Sequence, residues 1–243
     1  VTELIINFGV DEPELEWART RRDADVVLQP YHPIVQEGRF AEVFPHVRRF
    51  VYVNPTTVDP WVLDRLDQQP PLLGRDERWG LPRLNLTDPV GFEFAVANAA
   101  RAAAAGSHQV HGLFVDDLDR LIPDQQTIAV DFFAHLTTRL GREPRWFVNR
   151  AFALWPLIEN LDAVLLEEIV PGLTGTDNPE WLCDVVVASL HTVRARGVRV
   201  HSIGYHDQQI DDPNLVDDTE LATLIDTITV GAERDLKQWR VSK

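Results

Sequence analysis

The run HGLFVDD (residues 111–117) decides how the chain is read. Gly112, Leu113, Phe114 and Val115 carry no charge, and Asp116 and Asp117 follow them at once. A continuous apolar run of this length suits a strand covered on both faces, and the two carboxylates mark the end at which it leaves the core. Seven further runs have the same character: LIINFG (4–9), ADVVLQP (24–30), RFVYVNP (49–55), RWFVN (145–149), DAVLLEE (162–168), VRVHSIGY (198–205) and QWRVS (238–242). Helical segments separate nearly all of them. In DPVGFEFAVANAARAAAAG, Asp88 is placed as N-cap, Pro89 as the first helical residue and Gly106 as the stop, with Phe92, Val96, Ala99 and Ala103 on one face. Asp59-Pro60 and Asn178-Pro179 repeat this punctuation, the second opening a helix that stops at Gly197. Ile128, Phe132 and Leu136 form a stripe ahead of Gly141, and Asp217 and Glu220 make a capping-box pattern.

Strand and helix alternate throughout, so the expected class is α/β with a parallel sheet. Eight strands in 243 residues match the size of one (β/α)8 TIM barrel, roughly 250 residues, so residues 1–243 are expected to form one barrel domain. An open doubly wound sheet is the alternative; the barrel has the advantage of leaving no edge. A long excursion at about 56–86, with Pro70-Pro71, Trp61 and Trp79, interrupts the pattern and should rise over the C-terminal face, whereas AFALWPLIEN leaves room for only a short helix.

Hydrophobic residues at 44% and charged residues at 25% fit a globular chain with a sizeable core. No stretch approaches the roughly 18 apolar residues of a membrane span, and no membrane partner is expected. The formal charge is −15 and the only lysines are Lys237 and Lys243, so nucleic acid is a poor partner. The acidity serves solubility or draws a cationic substrate. Cys183 is the sole cysteine, which rules out an intramolecular disulfide or a thiolate zinc cluster. There is no GxGxxG, Walker or GxSxG pattern, and no cofactor is expected. Localisation follows the origin of Val1: cytoplasmic if it is the native start, secreted if a signal peptide preceded it. Oligomeric state is not readable.

In a parallel barrel, reactive groups collect at the C-terminal strand ends. Side chains alternate along a strand, so Phe114 shares a face with Asp116 and Leu165 shares one with Glu167. If Asp116 points into the mouth, Asp117 leans toward the helices. The fourth and sixth strands have one strand between them, so Asp116 and Glu167 can face each other and flank a glycosidic bond, one protonated as general acid and the other ionised as nucleophile or base. The ordinary alternative is that strand-end acids cap helices, and for Asp117, Asp119 and Glu168 it is the favoured reading.

Asn149 ends the intervening strand, where its amide either binds a sugar hydroxyl or caps the short helix. Asn54, Tyr205 and Asp117 complete the strand-end candidates for substrate contact. Trp79 is a stacking candidate, though for both Trp61 and Trp79 packing of the loop onto the barrel is the more ordinary role. A metal held by Asp116, Asp117, Glu167 and His206 is a rival enzyme reading, and a sugar-binding barrel without chemistry is the non-enzyme reading.

GLFVDDLDR resembles the motif of glycoside hydrolase family 114 and its barrel relatives, in which an Asp closes a strand in a run G-hydrophobic-F-hydrophobic-D-hydrophilic-hydrophobic-D. FVNR followed by LDAVLLEEIV is similar to that group's next two strands, ended by an Asn and a Glu, and YVNPTTVDP and LTDP resemble its connecting segments. The resemblance spans roughly Val51 to Tyr205. It implies a barrel acting on polymers of galactosamine or related sugars, with Asp116 and Glu167 in the catalytic carboxylate positions. Glu168 stands where relatives often have a small hydroxyl residue and Phe8 where a tyrosine is common, which leaves the reaction class intact and the sugar open.

Overall fold

The computed structural model describes residues 3–7, 16, 19–77, 79–106, 109–121, 125–167 and 180–203. Seven strands form one parallel sheet, in chain order: β1 (Glu3–Asn7), β2 (Ala24–Leu28), β3 (Arg48–Val53), β6 (Gly112–Val115), β7 (Arg145–Asn149), β8 (Leu161–Glu167) and β9 (Arg199–Ile203). Between β3 and β6 a separate antiparallel hairpin pairs β4 (Leu72–Arg75) with β5 (Pro82–Leu84). The helices are α1 (Pro33–Gln36), α2 (Phe40–Val43), α3 (Pro60–Leu63), α4 (Pro89–Gly106), α5 (Gln126–Leu140) and α6 (Glu180–Ala195). The connection from β7 to β8 is a short 3₁₀ helix, Phe152–Leu157, as the ten residues available require. The expected eighth strand at 238–242, the helix near Asp217, Tyr205 and His206 lie outside the described residues.

The sheet is curled into a barrel of the (β/α)8 type. Five strand steps separate β2 from β9, which in a flat sheet would be roughly 24 Å. Yet Asp25 on β2 accepts contact from His201 Nε2 on β9 at 2.8 Å and from Arg199 Nε at 3.0 Å. Inside the barrel, alternate residues Leu4 and Ile6, Phe50 and Tyr52, Ala163 and Leu165 meet Val27, Phe114 and Phe147 in one apolar cluster. Phe147 packs edge-to-face on Phe50 (5.4 Å) and Phe114 (4.9 Å), closing the interior below the C-terminal mouth. The opposite faces of the same strands, carrying Val51, Leu113, Trp146 and Val164, are buried against the helices. Both faces are therefore dry, which explains why the strands read as unbroken apolar runs.

Local chemistry fixes the ends of these elements. Asp88 accepts a hydrogen bond from Val90 N at 2.8 Å and starts α4, while Gly141, at φ +61°, ends α5 in the left-handed conformation that glycine adopts without strain. Gly112 opens the decisive strand because β7 passes close: a Cβ there would lie 2.0 Å from the Arg145 carbonyl oxygen. The 56–86 excursion is built from α3, whose start Asp59-Pro60 marks in the sequence, and the hairpin, for which the sequence carries no signal.

Asp25 is wholly buried and lies toward the N-terminal end of the barrel, ringed by Arg48, Arg199 and His201. Burial alone would raise its carboxyl, but the His201 hydrogen bond and the charges of His201, Arg199 and Arg48 outweigh it and hold the group below its ordinary 3.8. Removing the acid leaves the surrounding cations uncompensated, so Asp25→Ala should cost about 3–5 kcal/mol, read as a fall in the urea midpoint. Because the folded pKa lies below the unfolded one, this stabilisation is full above pH 3.8 and is lost as pH drops through the folded value. The variant should accordingly lose that part of its acid sensitivity.

Candidate functional site

At the C-terminal mouth, β6, β7 and β8 deliver three polar side chains to one point. Asn149 Nδ2 donates to Asp116 Oδ1 at 2.8 Å and also to Glu167 Oε2. One amide nitrogen on the middle strand therefore joins the carboxylates of its two neighbours. Strand register explains the meeting: the pairing of Val115 with Val148 carries Asp116 level with Asn149, which pairs with Leu165. Glu167 lies one inward position further along β8, and its longer side chain reaches back. The amide must present nitrogen to this pair, since an amide oxygen there would face two acceptors.

Further donors hold Asp116. Tyr52 Oη donates to Asp116 Oδ2 at 2.8 Å, and the Asp117 backbone N–H donates to Oδ1 at 2.8 Å. Tyr52 is two residues before Asn54 on β3 and faces inward by the same alternation. Burial and the Asp116 charge push its phenol well above 10, so it remains a donor at neutral pH. Despite its donors, Asp116 is raised to about 7, first by desolvation and then by the nearby charges of Asp117 and Glu167; the bonds from Asn149 and Tyr52 oppose the shift. Asp116 consequently holds its proton up to near-neutral pH.

The other sequence candidates fall as follows. Asn54 joins the cluster, donating to Asp117 Oδ2 at 2.7 Å and to Tyr52 Oη at 3.3 Å. Asp117 departs from the alternation rule. Its φ of +59° turns the side chain back toward Asn54 and Arg120, whose Nε lies 3.1 Å from Oδ1, instead of toward the helices. Asp119 pairs with Arg150 Nε at 3.0 Å instead of serving only as a cap. Asn149 does not cap the short helix; it bridges the two acids. Trp79 lies at the hairpin tip and is 63% exposed, and Trp61 is 43% exposed, so each leaves part of its ring open to solvent. The tip is tied to the site: buried Asp76 accepts from Trp79 N at 2.7 Å and pairs with Arg120, which also holds Asp117. Tyr205, Glu168 and His206 lie outside the described residues. Tyr52 and Arg120 were not identified from sequence, although two-residue periodicity back from Asn54 would have found the first.

Backbone strain gathers here. The non-glycine residues with left-handed φ among those described are Asp117, Arg150 and Ala151, each directly following a site residue or its neighbour. Asn149 Oδ1 is buried without a hydrogen-bond partner among the described residues, a cost of about 1–3 kcal/mol. Such costs persist where surrounding structure imposes a geometry, as at functional sites.

No protein-family model matches the sequence, and no curated protein is significantly similar to it. Solved structures do match the fold. Ega3 of Aspergillus fumigatus, determined in complex with galactosamine, is similar with a TM-score of 0.61 at 15% identity, over 91% of this chain and 84% of that one. TtGalA, an α-galactosidase from Thermus thermophilus bound to p-nitrophenyl α-D-galactopyranoside, is similar with a TM-score of 0.51 at 15% identity, over 91% of this chain and 55% of that one. At these identities the likeness establishes the barrel, and chemistry has to be argued from the site.

The causes of the Asp116 shift separate experimentally. Asp117→Asn removes a charge that raises the group, so its pKa should fall below about 7; Tyr52→Phe removes a donor that lowers it, so the pKa should rise. Carbon-13 NMR titration of the Asp116 carboxyl reads both, and movement of the two variants in the same direction would contradict the assignment.

Proposed function

We propose that this chain is a glycoside hydrolase in which Asp116 and Glu167 act as the catalytic pair. The observation that carries the reading is the single Asn149 amide bonded to both carboxylates at the barrel mouth. One carboxyl donates a proton to the departing glycosidic oxygen while the other, ionised, attacks the anomeric carbon; the rise of Asp116 to about 7 gives the site one carboxyl that holds its proton near neutral pH. Two oxygens bonded to one nitrogen are within two hydrogen-bond lengths, under about 6 Å. That span fits the roughly 5–5.5 Å separation of retaining enzymes better than the 6.5–9.5 Å of inverting ones. We therefore expect net retention of anomeric configuration, through a covalent glycosyl intermediate that water releases in a second step.

The substrate we favour is a polysaccharide containing galactosamine. Three things support it: the resemblance of GLFVDDLDR and LDAVLLEEIV to the family 114 pattern, the similarity to a barrel solved with galactosamine, and a net charge of −15 that attracts a cationic polymer. Asn54, Asp117, Asn149, Tyr205 and Trp79 are the proposed substrate contacts, Tyr205 from its place in the sequence.

Asp116→Asn and Glu167→Gln should each lower turnover by about 10²–10⁴-fold with an unchanged circular dichroism spectrum, whereas Asp119→Asn should stay within about tenfold of wild type. Equal losses in all three would refute the pairing. With Asp116 as the acid, kcat should decline as pH rises through about 7, whereas with Asp116 as the nucleophile it should rise over the same range; a pH profile of reducing-end release reads which role it takes.

A further inference from the structure

Beside the carboxylate cluster lies a cavity of about 400 Å³, bounded by the ends of β2 and β3 and by α3 and α4. Its volume lies in the range of small-molecule sites, roughly 300–1,000 Å³. Tyr52 and Asn54 are among the residues that line it, and both also hydrogen-bond the acid cluster, Tyr52 to Asp116 and Asn54 to Asp117. Asp116 and Glu167 themselves do not line it.

Two aromatic rings stand on its other side. Tyr31 is 44% exposed and Trp61 43% exposed, and the rings meet edge-to-face at 5.8 Å and 89°. Trp61 is fixed although it is not buried. Arg65 lies over its ring at 4.9 Å, and Asp59 hydrogen-bonds its side chain. Asp59 occupies the N-cap position of α3 but makes no side-chain cap bond there; its carboxylate serves the tryptophan instead. An aromatic held in place by three neighbours at the lip of a cavity is pre-ordered for stacking, so little side-chain entropy would be lost on contact. Gln29 adds an amide group suited to hydroxyls.

We propose that this cavity is a binding subsite for a pyranose unit of the substrate chain flanking the bond that is cleaved, with Trp61 and Tyr31 as its ring platform. The inference rests on the glycosidase reading above and extends it, since it makes the protein favour long chains over short ones.

The test uses the full chain and a size-graded set of α-1,4-linked galactosamine oligosaccharides, dimer to octamer. Wild-type protein should bind and cleave the octamer with a markedly lower KM than the dimer. Trp61→Ala and Tyr31→Ala, both at half-exposed positions, should raise the octamer KM by roughly tenfold and remove most of the length preference. If wild type cleaves the series but both variants keep its length preference, the subsite is wrong and the glycosidase reading stands. If wild type neither cleaves nor binds any member, the galactosamine substrate fails and the subsite fails with it.

Discussion

Two carboxylates cannot sit side by side at the mouth of a dry barrel without something to hold them, and here that is the amide of Asn149. Its Nδ2 bonds Asp116 on one side and Glu167 on the other. The strand order supplies the geometry, because β7 runs between β6 and β8. Beneath the three residues the rings of Phe50, Phe114 and Phe147 fill the barrel, denying the acids solvent from below. An acid in such a place is costly to ionise. That cost keeps a proton on Asp116 near neutral pH.

The same physics gives the opposite result at the other end of the barrel. Desolvation is the largest single influence on both Asp25 and Asp116, and in each it pushes the carboxyl upward. Neighbours decide the outcome. Asp25 is surrounded by Arg48, Arg199 and His201 and falls below its ordinary value, whereas Asp116 has Asp117 and Glu167 beside it and rises to about 7. One end uses a buried acid to tie β2, β3 and β9 together, and the other keeps its acids poorly neutralised. This is the division between stability and chemistry that parallel barrels commonly show.

Much of this was legible in the sequence. Apolar runs broken by Asp, Pro and Gly located seven of the strands to within a few residues, because a strand buried on both faces and a capped helix leave strong local signatures. Alternation from Phe114 to Asp116 and from Leu165 to Glu167 correctly turned both acids inward. It failed at Asp117, since a positive φ cannot be read from residue identity when the residue is not glycine. The hairpin was hidden for another reason: β4 is exposed throughout and carries no buried face to pattern it. Arg120 and Asp25 were invisible because ion pairs spanning 44 and 174 residues have no periodicity along the chain.

The account stands on the two acids sensing each other through the bridge. Carbon-13 NMR titration of the Asp116 carboxyl in wild type and in Glu167→Gln tests this most directly. The Glu167 charge is among the influences that raise Asp116, so the group should titrate near 7 in wild type and clearly lower in the variant. A carboxyl that titrates at an ordinary value in wild type and does not move when Glu167 loses its charge would contradict the account.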